Sequence, residues 1–308
     1  MRIRARAIVG PLVLIGASAA LAFDVPVIDD WLFRISTLIL LTVSWNMMAT
    51  AGMISLGQSA FWGLGSYVAL FAVGPGLVSF GPSFLPSLAA GALAGTALAL
   101  ATGRLRGVYF AIATLALSEG LRVLALMLPG FSGGASGMFM PQAARPQPLV
   151  LYYTSVGLAA ASVGLSWALG RTRIRYAMRA MRDNEDAAQM LGLNPLAYRV
   201  LICCIAGAVA AAGGALDMWY SGYVTPDLAF NLQNAILPQI AAIIGGVATL
   251  EGPVAGSFVV ILLSETTRIW LGGMGGYSQL TYGVLLLICV LWLPRGLAGR
   301  RLPRPARG

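Results

Sequence analysis

The sequence predicts an all-α polytopic membrane protein of about ten transmembrane helices, with one polar elbow, residues 171–199, pushed out of an otherwise apolar chain. Three observations carry that prediction. Hydrophobic residues make up 58% of the 308 and charged residues 10%, and the mean hydropathy is +0.81. That balance is foreign to water-soluble domains. Apolar stretches recur along the chain, each near the roughly 20 residues needed to cross a hydrocarbon core of about 30 Å. Finally, all twenty basic residues are Arg, and sixteen of them fall in alternate segments between those stretches, as expected where cationic side chains mark the cytoplasmic loops.

In chain order the spans are expected at 7–23, 32–51, 60–80, 84–102, 107–128, 149–169, 199–219, 232–249, 254–271 and 277–293. An inside N-terminus puts Arg2, Arg4, Arg6, Arg104, Arg106, the six elbow arginines and Arg295, Arg300, Arg301, Arg304 and Arg307 on the cytoplasmic side. Arg34, Arg122, Arg145 and Arg268 fall at or near the outer side, with Asp24, Asp29 and Asp30. The formal charge of +9 is therefore read as membrane orientation, with the bilayer and not nucleic acid as the partner. Residues 1–299 form one transmembrane domain and 300–308 a basic cytoplasmic tail. The first stretch, three arginines followed by an apolar run and ASAALA, also resembles a secretory signal peptide; the expectation adopted is an uncleaved first span.

The residue types that are missing narrow the chemistry. The chain has no His and no Lys, which leaves no Ser-His-Asp triad, no Cys-His dyad, no imidazole metal site and no P-loop lysine. No catalysis, no metal and no cofactor bound by this chain is expected. Cys203, Cys204 and Cys289 lie in apolar spans and read as small buried hydrophobes.

Residues 51–67, AGMISLGQSAFWGLGSY, are rich in Gly and Ser and carry Gln58. Irregular backbone at membrane depth persists only where protein buries it or water lines it, so this segment is either a close-packed loop or a broken helix along a path. The longest outer loop, 129–148, contains Gly-Phe-Ser-Gly-Gly around Ser132. It matches the form of a nucleophile elbow, but the base that chemistry needs is absent. Its Gly133 and Gly134 either offer N–H groups to a polar solute or turn the chain. Leu-Ser-Glu-Gly-Leu-Arg at 117–122 recurs as Leu-Ser-Glu-Thr-Thr-Arg at 263–268. In each copy Glu and Arg stand three apart on one helix face, close enough to neutralise each other. Gly91/Gly95 and Gly252/Gly256 read as sites of close helix packing, and Gly272/Gly276 as a turn.

The elbow reads as two short helices. Asp183 is expected to cap the second, with Asp186 in the reciprocal capping-box position. Gly192 suits a left-handed helix end, and Asn194-Pro195 an N-cap and first helical position. Ala177, Ala180, Met181, Ala188 and Leu191 fall near one face, opposite a charged one. Such a knob needs a partner.

Asp186-Ala187-Ala188-Gln189-Met190-Leu191-Gly192 resembles the E-A-A-x-x-x-G signature of bacterial ATP-binding-cassette (ABC) importer permeases, with Asp in place of Glu. WNMMATAGMISLGQSAFWGLGSY, GRLRGVYFAIATLALSEGLR, SGGASGM, AMRAMRDNEDAAQMLGLNP, GGVATLEGPVAGS and LPRGLAG resemble, in order, the blocks of LivM-type permeases of branched-chain amino acid importers, over about residues 40–299. Ala135-Ser136 and Val247-Ala248 depart from the family's usual Ser-Asn and Leu-Gly or Ile-Gly. The resemblance implies a bacterial inner-membrane permease subunit with both termini in the cytoplasm. Its implied partners are a LivH-type permease, two cytoplasmic ATPase subunits carrying ATP and Mg, and a periplasmic solute-binding protein. It implies ATPase-coupling residues at Arg182, Glu185, Asp186, Ala187, Ala188 and Gly192. Asn46, Gln58, Ser59, Glu119, Ser132, Gly133 and Gly134 are the path candidates. The alternative is a stand-alone ion-coupled transporter using Glu119 and Glu265.

Overall fold

The computed structural model describes residues 26–73, 79–141 and 145–270, with 283, 284 and 297. The expected first and last spans, the Gly272/Gly276 turn, Cys289 and the basic tail lie outside those residues, apart from isolated positions in the last span and near the tail.

Each of the eight remaining expected spans is a helix. They are α1 (Pro26–Thr50), α2 (Gln58–Val73), α3 (Phe84–Ala101), α4 (Val108–Met127), α6 (Pro148–Arg171), α9 (Pro195–Ser221), α11 (Leu232–Gly245) and α12 (Gly252–Trp270). Between them lie α5 (Pro129–Ser132), the elbow helices α7 (Ile174–Asp183) and α8 (Glu185–Met190), and α10 (Pro226–Ala229). Two-residue strands β1 (Met138–Phe139) and β2 (Tyr223–Val224) pair antiparallel. Six helical stretches among the described residues are long and apolar enough to cross a membrane. One of the six is α10 and α11 taken together, Pro226–Gly245, and α2 and α12 are not among them. Helix α2 has 16 residues, about 24 Å at 1.5 Å per residue, and its expected continuation runs into residues 74–78, outside the description. Helix α11 stops at Gly245 because Gly246 turns the chain with a φ of 116°.

Helix α9 is the central post, packed most extensively on α3, then α2 and α1. Its run of Ala and Gly explains why. A Cβ at Gly91 or Gly95 of α3 would run into the backbone of Gly207 or Cys203, and one at Gly65 of α2 into Ala211. Backbones approach this closely only where side chains are small, as expected for Gly91/Gly95. Gly256 likewise lets α12 meet Ala241 of α11.

The loops sort into two ends. Segments 51–53, 105–107 and 181–186 meet Arg199 around one cavity. At the other end Arg34 pairs with Asp30, Tyr220 bonds Asp30, and Arg122 reaches Asp227. There β1 pairs with β2, Met138 opposite Val224. Arg106, Arg182 and Arg199, assigned inside from the sequence, share one end, and Arg34 and Arg122, assigned to the outer side, share the other.

Candidate functional site: a clamped elbow at the arginine-rich end

The elbow folds as two short helices, with one change in the capping. Asn184, not Asp183, caps α8: its Oδ1 accepts from Ala187 N at 3.0 Å. Asp186 does not complete a capping box, because Arg106 takes it. The C-terminal end follows expectation. Gly192 has a φ of 83°, and its N–H and that of Leu193 return to Gln189 O and Ala188 O at 2.9 and 3.2 Å, a left-handed helix stop. Asn194 Oδ1 then accepts from Ala197 N and starts α9 directly behind Pro195.

Charged side chains tie this elbow to the bundle. Glu185 Oε2 sits 2.9 Å from Arg106 Nε and 2.8 Å from Arg199 Nη2. Arg106 also reaches Asp186 at 3.0 Å. Arg199 is buried, and its Nη1 donates to Gly103 O and Leu105 O, both at 2.9 Å. The hydrogen bond from Arg106 holds the Asp186 carboxyl below the ordinary Asp range, and the two acids raise Arg106 in turn. Gly52, with φ of 81°, lies under α7: a Cβ there would come within 3.2 Å of Arg182 Cα. Between these contacts is a polar cavity of about 300 Å³, lined by Arg106, Arg182, Arg199, Asp183, Glu185 and Asp186 among others.

The six coupling candidates are brought together here, in different roles. Ala188 is buried at 1% exposure against its own chain, as are Ala177 and Met181. Glu185 is turned inward to its two arginines. Arg182, Asp186, Ala187 and Gly192 are exposed. Leu191 departs from the expected apolar face, since it is 81% exposed and Met190 beside it 90%. The elbow therefore ends in an apolar tip that nothing among the described residues covers.

The path candidates are placed apart. Asn46 splints the turn after α11, accepting from Ala248 N at 2.8 Å and donating to Thr249 O at 3.0 Å. Gln58 is fully buried and accepts from Ser44 at 3.0 Å. Ser59 shares a 2.6 Å bond with Ser118. Ser132 donates to Ala125 O and Leu128 O and accepts from Gly134 N. Its hydroxyl closes the end of α4, while Gly133 and Gly134, with φ of 74° and 56°, turn the chain. Glu119 pairs with Arg122 at 2.8 Å as its spacing implied. Its echo differs: Glu265 is buried and faces Arg34 at 3.9 Å, and the Arg268 side chain is outside the description.

From the sequence, Arg106 and Arg199 figured only as orientation charges, and Asp227 of α10, which pairs with Arg122, was overlooked. For Arg199 a signal existed: it stands four residues inside α9, beyond the Asn194-Pro195 start, where a cation needs an acceptor.

The fold and this site define a multi-pass membrane protein of the permease type, presenting a braced, apolar-tipped elbow at its arginine-rich end. The match to the family described as branched-chain amino acid transport system / permease component covers residues 27–290, and the chain belongs to that family. It is similar to the high-affinity branched-chain amino acid transport system permease protein LivM of Escherichia coli K12, 25% identical over 290 residues, covering 84% of this chain and 66% of LivM. It thus spans a little under two thirds of that relative's length. It is also similar to LivH of the same organism, 25% identical over 189 residues, 60% of this chain and 58% of LivH. The fold resembles the solved structure "PsaBC from Streptococcus pneumoniae in complex with Fab", with a TM-score of 0.55 and 16% identity, covering 94% of this chain and 98% of that one.

Proposed function

We propose that this chain is one half of the membrane channel of an ABC importer for branched-chain or related amino acids. It spans the bacterial inner membrane about ten times, with both termini cytoplasmic, beside a LivH-type permease. Two ATPase subunits, holding ATP and Mg, grip its elbow from the cytoplasm, and a periplasmic solute-binding protein delivers solute to the opposite end. The observation that carries the reading is the elbow tip. Met190 and Leu191 are 90% and 81% exposed on a helix otherwise pinned by ion pairs. Exposed apolar side chains on a rigid charged mount fit a separate protein's cleft. The family membership and the LivM and LivH similarities support the transport class.

The test is the double variant Met190→Asp, Leu191→Asp. Because both side chains are largely exposed among the described residues, folding and insertion should persist while ATPase subunits no longer co-purify. Retention of those subunits at the parent level would remove the coupling assignment.

A further inference from the structure

We infer that Glu185 is the positioning hub of the elbow: it acts inside this chain, locking α8 to the 103–106 turn and to α9, and does not itself touch the ATPase. The inference rests on the coupling reading above and gives this residue a role different from docking.

Three features lead there. Glu185 opens α8, yet its side chain is only 13% exposed, while Met190 at the other end of the same helix is almost fully exposed. One of its oxygens, Oε2, lies within 3 Å of both Arg106 Nε and Arg199 Nη2. The two arginines come from different elements, one from the turn before α4 and one from α9, and Arg199 also grips that same turn through Gly103 O and Leu105 O. A closed ring results, from α8 to the turn to α9 and back to α8. Asp186 doubles the Arg106 link. On the far side Arg182 rests on Gly52.

A helix of six residues has little rigidity of its own. Joined to its neighbours only through the Asn184 and Gly192 turns, it would swivel when its tip is pushed. The ring removes that freedom, so displacement of the tip is delivered to the ends of α4 and α9 as movement of one body. Because α9 packs on α1, α2 and α3, the displacement reaches the bundle centre without requiring any other contact. A carboxylate is needed rather than an amide: only it accepts two charge-assisted bonds from two guanidinium groups while neutralising charge that would otherwise repel across the cavity.

The test uses the whole complex purified through a tag on this chain, with Cys203, Cys204 and Cys289 replaced by alanine. Spin labels go on Gln189→Cys and Arg104→Cys, both exposed positions whose own side chains make none of the ring's contacts. In the parent the distance between labels should be narrow and unchanged between nucleotide-free and vanadate-trapped states. With Glu185→Gln it should broaden by about twofold and shift on trapping, as expected when a largely buried ion pair loses one partner, while ATPase subunits are retained. The double variant Arg106→Gln, Glu185→Gln should broaden it no further than Glu185→Gln alone, since both changes break one network. A distribution in Glu185→Gln as narrow as the parent's overturns the hub, and so does loss of the ATPase subunits from that variant. Should no ATPase co-purify even with the parent, the coupling reading fails. The label distances in the permease alone would still decide whether Glu185 braces the elbow.

Discussion

Replacing Arg199 with methionine, an uncharged side chain of comparable reach, removes three donated bonds at once. The guanidinium gives 2.9 Å bonds to Gly103 O and Leu105 O and a 2.8 Å bond to Glu185. Leu105 and Arg199 line a polar cavity where water can replace part of what is lost, so each carbonyl bond costs about 1 kcal/mol. The charge-assisted bond is worth about 1.5–3 kcal/mol. Glu185 keeps Arg106 at 2.9 Å, which sets that figure near its lower end. The loss comes to about 3–4 kcal/mol. At roughly 2–4 °C per kcal/mol for a chain of this size, the thermal midpoint should fall by roughly 6–16 °C. Thermal unfolding of the purified protein in detergent, followed by tryptophan fluorescence, reads it directly. Arg199→Lys should fall in between, because a single ammonium cannot match the planar fork that serves carboxylate and carbonyls together. A midpoint for Arg199→Met within about 2 °C of the parent would refute the reasoning.

Three other perturbations are checked in the same way. Gly95→Ala places a Cβ against the Cys203 backbone and should cost about 1–3 kcal/mol by overpacking. Gly157→Ala, in α6 with nothing within 4 Å, should gain about 0.5 kcal/mol; opposite-signed midpoint shifts are the check. Ala248 holds a φ of 60°, a left-handed conformation costing about 1–2 kcal/mol for a residue with a Cβ. Ala248→Gly should therefore raise the midpoint, after about 0.4–1 kcal/mol is returned through the freer unfolded chain; a lowered midpoint would contradict the strain. For pH, the Asp186 carboxyl is lowered by Arg106, so its contribution is fully present above the ordinary Asp pKa of about 3.9 and is lost only as pH falls through the lowered value. The mobility of a spin label at Gln189→Cys should stay constant from about pH 8 to about pH 5, and increased mobility within that window would count against the pairing.

Much of this was legible in the sequence because apolar length and arginine position are one-dimensional signals. The eight spans, the elbow's two helices, the Gly192 stop and the Asn194-Pro195 start each follow from a few neighbouring residues. Even the departure at Val247-Ala248 has a structural meaning, since the residue where the resembled family usually has Gly is the one non-glycine with positive φ among the described residues. What local pattern could not supply was competition. Asp183 and Asn184 are both good caps, and which one served depended on the chain's direction into α8. Asp186 fitted a capping box until Arg106, eighty residues away, offered a stronger partner. Leu191 sat on the correct face by helical spacing, but α8 ends before it, so the spacing no longer applied. The path candidates were chosen for polarity in an apolar setting, and polarity there is equally what helix ends and turns need. Asn46 and Ser132 meet those needs within the chain, and Ser59 is taken up by Ser118 of α4.

The arginines therefore carry two separate physical demands, and only one of them explains the residue type. Orientation in the membrane requires positive charge on one side, which lysine would satisfy equally. At Arg106 and Arg199 charge alone is insufficient. Arg106 meets Glu185 through Nε and Asp186 through Nη2, and Arg199 divides its two terminal nitrogens between a carboxylate and two carbonyls. Each geometry needs several donors fixed in one plane, which a lysine's compact ammonium on a flexible stem does not provide. The same two charges that the sequence assigns to one side of the bilayer thus also fasten the elbow to α9 and to the turn before α4.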